Sequence, residues 1–112
     1  MAAQEQDVFQ LVTNAPLLVE WTAADPTNAD VAPFTAGMVV LARNVHITDP
    51  FTVTFTSEPD RHGRTEDISQ AIAAGEYFAF GPFTKEGWKA GSGNLNFSAP
   101  DASIEFAVIK GV

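Results

Sequence analysis

The chain has 112 residues, no cysteine, and six Lys and Arg against fourteen Asp and Glu, for a net charge of −8. That length suits one domain burying roughly two-thirds of its unfolded surface, and the missing thiols exclude disulfides and thiolate metal sites. The basic residues are scattered (Arg43, Arg61, Arg64, Lys85, Lys89, Lys110), so the chain opposes the counterion replacement by which nucleic-acid binders gain affinity. No segment approaches the ~18 apolar residues of a membrane helix. The acidic, polar start MAAQEQDVFQ also lacks the basic and apolar regions of a secretion signal. The expectation is synthesis in the cytosol, with neither nucleic acid nor membrane as a direct partner.

In chain order, residues 1–15 read as an N-terminal arm or an edge strand, with Val8, Phe9, Leu11 and Val12 as its apolar side chains. PLLVEWTA and GMVVLARN are evenly apolar, as befits central strands or strands covered on both faces. FTVTFT alternates cleanly, setting Phe51, Val53 and Phe55 against Thr52, Thr54 and Thr56; this is a half-buried strand with a wet threonine face. TEDISQAIAAG is ambiguous. Ile68 and Ile72 stand one helical turn apart before Gly75, yet Ile68, Gln70 and Ile72 also share a strand face. So short a helix is marginal without packing, and the strand is preferred.

The segment EYFAFGPFTKEGW packs Tyr77, Phe78, Phe80, Phe83 and Trp88 into thirteen positions. Phe78 and Phe80 share a strand face and are expected in the core, where each ring removes ~150–250 Å² from water. Gly81-Pro82 then turns the chain away. Tyr77, Phe83 and Trp88 remain on the outer face or in the following loop as candidates for a partner. NLNFSAP directs Leu95 and Phe97 inward, and SIEFAVIK does the same with Ile104, Phe106 and Val108. Proline- and glycine-bearing breakers separate these runs: AADPTNAD, TDP, SEPDRHGR, AAGE, GPF and KAGSGN. Short strands with frequent breaks indicate an all-β sandwich or barrel.

Chemistry-bearing patterns are sparse. His46 precedes Asp49 and His62 follows Asp60, but each pair offers two ligands where a metal site needs three or four. No serine lies in a nucleophile elbow, and GSGN lacks the lysine of a phosphate loop. Asp25, Asn28 and Asp30 carry calcium-type oxygens without EF-hand spacing. No catalytic, cofactor-binding or metal residue is assigned, and no enzymatic activity is expected. Trp21, in LLVEWTAAD, reads as core.

EWTAADPTNAD, PFTAGMVVLARN, FTVTFTSEPD, AAGEYFAFGPF, GNLNFSA and SIEFAVIK follow one another over about residues 16–110. This series resembles short virion proteins of tailed bacteriophages, of the capsid decoration or cement type. The resemblance implies a compact sandwich added to the outer surface of an expanded capsid, often as a homotrimer, with the major capsid protein as partner and no catalytic residues to carry over. The resulting expectation is an all-β, single-domain antiparallel β-sandwich, jelly-roll-like, of about seven to eight strands over residues 16–112. Val8, Phe9, Leu11, Val12, Tyr77, Phe83 and Trp88 are its candidate interface. Two other classes stay open: another virion component (head–tail adaptor, tail or fibre-base protein), and a carbohydrate-binding sandwich with Trp88 and Tyr77 as platforms.

Overall fold

The clearly alternating runs FTVTFT, NLNFS and IEFAVIK all pair into sheet. The computed structural model describes residues 4–6, 8–11, 20–57, 67–89 and 93–110, and among them ten strands and one helical turn form. They are β1 (Gln4–Glu5), β2 (Val8–Gln10), β3 (Thr22–Ala23), β4 (Asp30–Pro33), β5 (Val39–Asn44), β6 (Phe51–Thr56), β7 (Ile68–Ile72), β8 (Tyr77–Phe80), α1 (Lys85–Trp88), β9 (Asn94–Ser98) and β10 (Ile104–Lys110). The ambiguous Ile68–Ile72 stretch is strand β7, paired with β6 from Phe51↔Ile72 to Phe55↔Ile68. Its Ile72 is buried in the core.

Pairing is nested about that β6–β7 pair. β5 pairs with β8, β4 with β9 and β3 with β10, all antiparallel. The β6–β9 and β5–β10 ladders join these pairs into two layers, β4-β9-β6-β7 and β3-β10-β5-β8. The N-terminal segment extends both layers, with β1 parallel to β4 and β2 parallel to β10. The architecture is a β-sandwich of two five-stranded sheets.

Two expectations are corrected. The sheets are mixed where a purely antiparallel arrangement was expected, and ten strands stand in place of seven or eight. The parallel pairing comes from β1 and β2, and the additional strands are β1, β2 and β4, the last beginning inside the breaker AADPTNAD; runs of two to four residues are too short to show a clear period-two pattern. Val12 and the first half of PLLVEWTA (residues 16–19) lie outside the described residues, as do His62 and most of SEPDRHGRTED.

Between the layers the core is aromatic. Phe55 of β6 meets Phe80 of β8 at 4.6 Å between ring centroids, Phe83 at 5.3 Å and Phe97 of β9 at 5.5 Å. Phe97 meets Phe106 of β10 edge-on at 4.7 Å. Val40, Ala42, Val53, Leu95, Ile104 and Val108 fill the remainder. Offset and edge-to-face geometries are the favoured ones for such rings.

After β8 the chain does not leave the body. Gly81 has φ +113°, and a Cβ there would lie 2.8 Å from the Met38 carbonyl oxygen and 3.1 Å from the Phe83 nitrogen. Only glycine permits that approach. The Phe83 amide then donates to Met38 O, and the Gly37 amide donates to Phe83 O. These bonds turn the Phe83 ring inward onto Phe55. Phe55 touches both layers and this closing loop, so Phe55→Ala is expected to cost about 3–5 kcal/mol. Urea unfolding measures the loss, and a change below about 1 kcal/mol would show that the ring is not central to the core.

Candidate functional site

Strand order sets four loops at one end of the sandwich: residues 24–29, 45–50, 73–76 and 99–103. The pairings Asp30↔Phe97, Asn44↔Ile104, Phe51↔Ile72 and Arg43↔Tyr77 bring the strand ends beside them into line. Asn44, the last residue of β5, ties the loops together. Its alternation directs it inward where an apolar residue would stand, and it is fully buried. Its Nδ2 donates to the carbonyls of Asp49 (2.8 Å) and Ile72 (2.9 Å), and its Oδ1 accepts from the His46 amide (2.8 Å). The Asn44 backbone bonds to Glu76 O and Gly75 N, and Val45 N donates to Ser103 O. A buried amide is tolerated only when its groups are paired; here Asn44 ties the 45–50 and 73–76 loops together, and the neighbouring Val45 amide adds the 99–103 loop.

Within residues 45–50, His46 Nδ1 accepts from the amides of Thr48 (3.1 Å) and Asp49 (3.0 Å). The ring's edge lies against Phe51 at 5.5 Å, and Nε2 is 4.0 Å from Asp49 Oδ2. The imidazole therefore shapes the turn. That turn lifts Ile47 almost wholly into solvent, 91% exposed, with Val45 half exposed. Tyr77, which follows the 73–76 loop, is 69% exposed. Sequence reading singled out Tyr77 and missed Val45 and Ile47. Val45-His46-Ile47 looks like continued strand alternation, and only the buried Asn44 shows that the strand has ended.

Two carboxylates cap these loops. Asn28 donates its side-chain amide to Asp25 (3.1 Å), and the amides of Asn28 and Thr27 add to it. Together they hold the Asp25 carboxyl below the usual range. The Ser103 amide, at 2.8 Å, does the same for Asp101, helped by the Ser103 hydroxyl. Asp30, the third calcium-type oxygen bearer, is fully buried and serves elsewhere. Its carboxylate accepts from the side-chain amides of Gln4 (2.7 Å) and Gln6 (3.0 Å) and from the Asp25 amide (3.1 Å). The oxygens of Asp25 and Asp30 thus face donors, and among the described residues no three His, Cys, Asp or Glu form a metal-binding group.

Of the candidate interface residues, the structure leaves few on a free surface. The described part of the N-terminal segment includes the edge strands β1, held beside Asp30 through Gln4, and β2, held by its pairing with β10. Val8 packs against the core, Phe9 lies half-buried opposite Ile109, and Leu11 is exposed. Phe83, expected at the surface, is 2% exposed. Trp88, at the end of α1, packs edge-on over Phe83 at 5.2 Å and is half-buried. Trp21, expected in the core, instead lies on the outer face of the second sheet. Arg43 stacks over its ring at 4.4 Å, Tyr77 lies beside it at 6.2 Å, and Arg43 is paired with Glu105 at 2.6 Å. Strand register explains the row, since Glu105, Arg43 and Tyr77 are cross-strand partners. Outside it, the first sheet shows Thr54 beside Ser69 and Ser98, a polar face.

Compared with protein-family models, with curated proteins and with solved structures, the chain has no significant match in any of the three.

The caps at Asp25 and Asp101 have a pH signature. Both groups are depressed in the folded state, so their contribution is present above the unfolded carboxylate value. It is lost as pH falls through the lower folded values. Amide NMR across an acid titration is expected to show Asn28 and Ser103 shifting together below the ordinary carboxylate range, before global unfolding. Amides that titrate at the ordinary value would remove the caps.

Proposed function

We propose that this protein is a bacteriophage head decoration, or cement, protein that binds the outer capsid surface across coat-protein seams and stabilises the shell as a trimer. The observation that carries the reading is a sandwich that exposes large apolar side chains at and beside one loop end: Val45 and Ile47 in the 45–50 loop and Tyr77 at the adjoining start of β8, against Leu11 elsewhere among the described residues. A clip of this kind needs contact area and multiplicity rather than a chemical site. A standard interface buries roughly 1,600 Å² in total, and joining weak contacts in a trimer raises avidity. The finer fold assignment is a jelly roll. The nested pairs β6–β7, β5–β8, β4–β9 and β3–β10 support it, and that architecture recurs in viral capsid and lectin domains. A fold alone does not carry a function. The order of sequence motifs and the charge of −8 add to the reading, since such a charge is unfavourable against packaged DNA and suits an outer surface.

Quantitative mass spectrometry of purified particles tests the assignment. About one copy per coat subunit is the expected ratio; a handful of copies would move the protein to the portal, tail or fibre base, and absence would end the virion reading. A second reading, a carbohydrate-binding module, is favoured by the Trp21–Tyr77 pair with Arg43 and Glu105 alongside, in place of the expected Trp88. It predicts saturable quenching of tryptophan fluorescence by sugars, diminished in Tyr77→Ala.

A further inference from the structure

We infer that the loop end carrying Ile47 is the face that docks, and that it takes a protein surface with an apolar recess ringed by Lys or Arg. The inference rests on the decoration reading for the identity of that surface, the coat shell, and adds its chemistry and the orientation of the sandwich upon it.

Three observations converge. First, exposure is concentrated. Ile47 (91%), Tyr77 (69%) and Val45 (50%) all belong to this end. A single exposed isoleucine is ordinary on a protein surface; its place at the apex of a turn bound on every side is less so. Second, the turn is preorganised. Asn44 clamps it from the core through Asp49 O and His46 N, His46 Nδ1 holds the Thr48 and Asp49 amides, and Ser103 O holds Val45 N. A side chain presented by a fixed backbone loses little conformational freedom on binding. Third, the rim has one sign. The loops 24–29, 45–50, 73–76 and 99–103 contain Asp25, Asp49, Glu76 and Asp101 and no Lys or Arg. Arg43, the nearest cation along β5, is held by Glu105. An apolar centre within a charged rim is the anatomy of a specific protein interface, and complementary charge steers the encounter and fixes the orientation. An acidic rim is repelled by nucleic acid and by anionic lipid, so a basic protein surface is the occupant that fits.

The experiment measures binding of the full chain to purified expanded heads stripped of this protein, across a salt series, with melting temperature as a control on folding. Ile47→Ser lies outside the core and is expected to melt like the parent while binding at least tenfold more weakly. The double variant Asp49→Asn, Glu76→Gln keeps the side-chain acceptors and is expected to flatten the decline of binding with salt. Lys89→Ala, outside the four loops, is expected to bind like the parent. If the parent binds and Ile47→Ser binds within twofold of it, the docking face is wrong and the decoration reading stands. Failure of the parent to bind heads overturns both. Loss of self-association in Ile47→Ser on analytical ultracentrifugation, with head binding per chain unchanged, would give the face to a second copy and overturn the inference.

Discussion

The aromatic contact across the two layers is the constraint on which the rest depends. Phe55 sits on β6, beside the hairpin partner β7 and next to β9, and its ring reaches Phe80 on the opposite sheet. Phe97 and Phe106 continue the bridge toward β10. Sheets pack about 10 Å apart, and interlocked rings fill that gap in the geometries they prefer. With the layers held so, the nested pairs fall into register and their connecting loops are delivered to the two ends. Phe83, returned by Gly81 and the Met38 pairing, brings the post-β8 loop into the same core.

Two buried polar side chains fix what the apolar core leaves undetermined. A hydrophobic contact is non-directional, so it can press sheets together without specifying how loops lie. Asn44 and Asp30 supply direction. Asn44 binds the 45–50 loop and the end of β7 into one unit. Asp30 gathers Gln4 and Gln6 beside the first sheet, where β1 pairs with β4, while β2 joins the second sheet through β10. The partner groups of a buried amide or carboxylate remain desolvated if it is removed, so these positions tolerate little change even though they contribute no apolar area.

The surfaces that result are unequal. Thr54, Ser69 and Ser98 cover part of one outer face with hydroxyls. The other carries Trp21 under Arg43, with Tyr77 beside it. The loop end adds exposed aliphatic groups within an acidic rim. Among the described residues no three His, Cys, Asp or Glu form a metal-binding group.

The sequence by itself determined the local pattern. FTVTFT, NLNFS and IEFAVIK declared their inward residues, because a strand's side chains alternate whatever surrounds it, and Val53, Phe55, Leu95, Phe97, Ile104, Phe106 and Val108 are all buried. The same periodicity made Phe80 core and placed Tyr77 on the opposite face. Tertiary structure decided the rest. Phe83 and Trp88 follow a turn, where no period exists to read, and they went inward because Gly81 and Met38 fold the loop back. Trp21, just before β3, went outward, where Arg43 stacks over it and Tyr77 lies beside it. Gln4–Glu5 and Val8–Gln10 became strands by pairing with the sheet edges beside them. Ile47 was raised into solvent by Asn44, whose partners at Asp49 and Ile72 come from different parts of the chain. Period-two burial is a property of neighbours in sequence, whereas loop closure and edge pairing depend on groups that only the folded chain brings together.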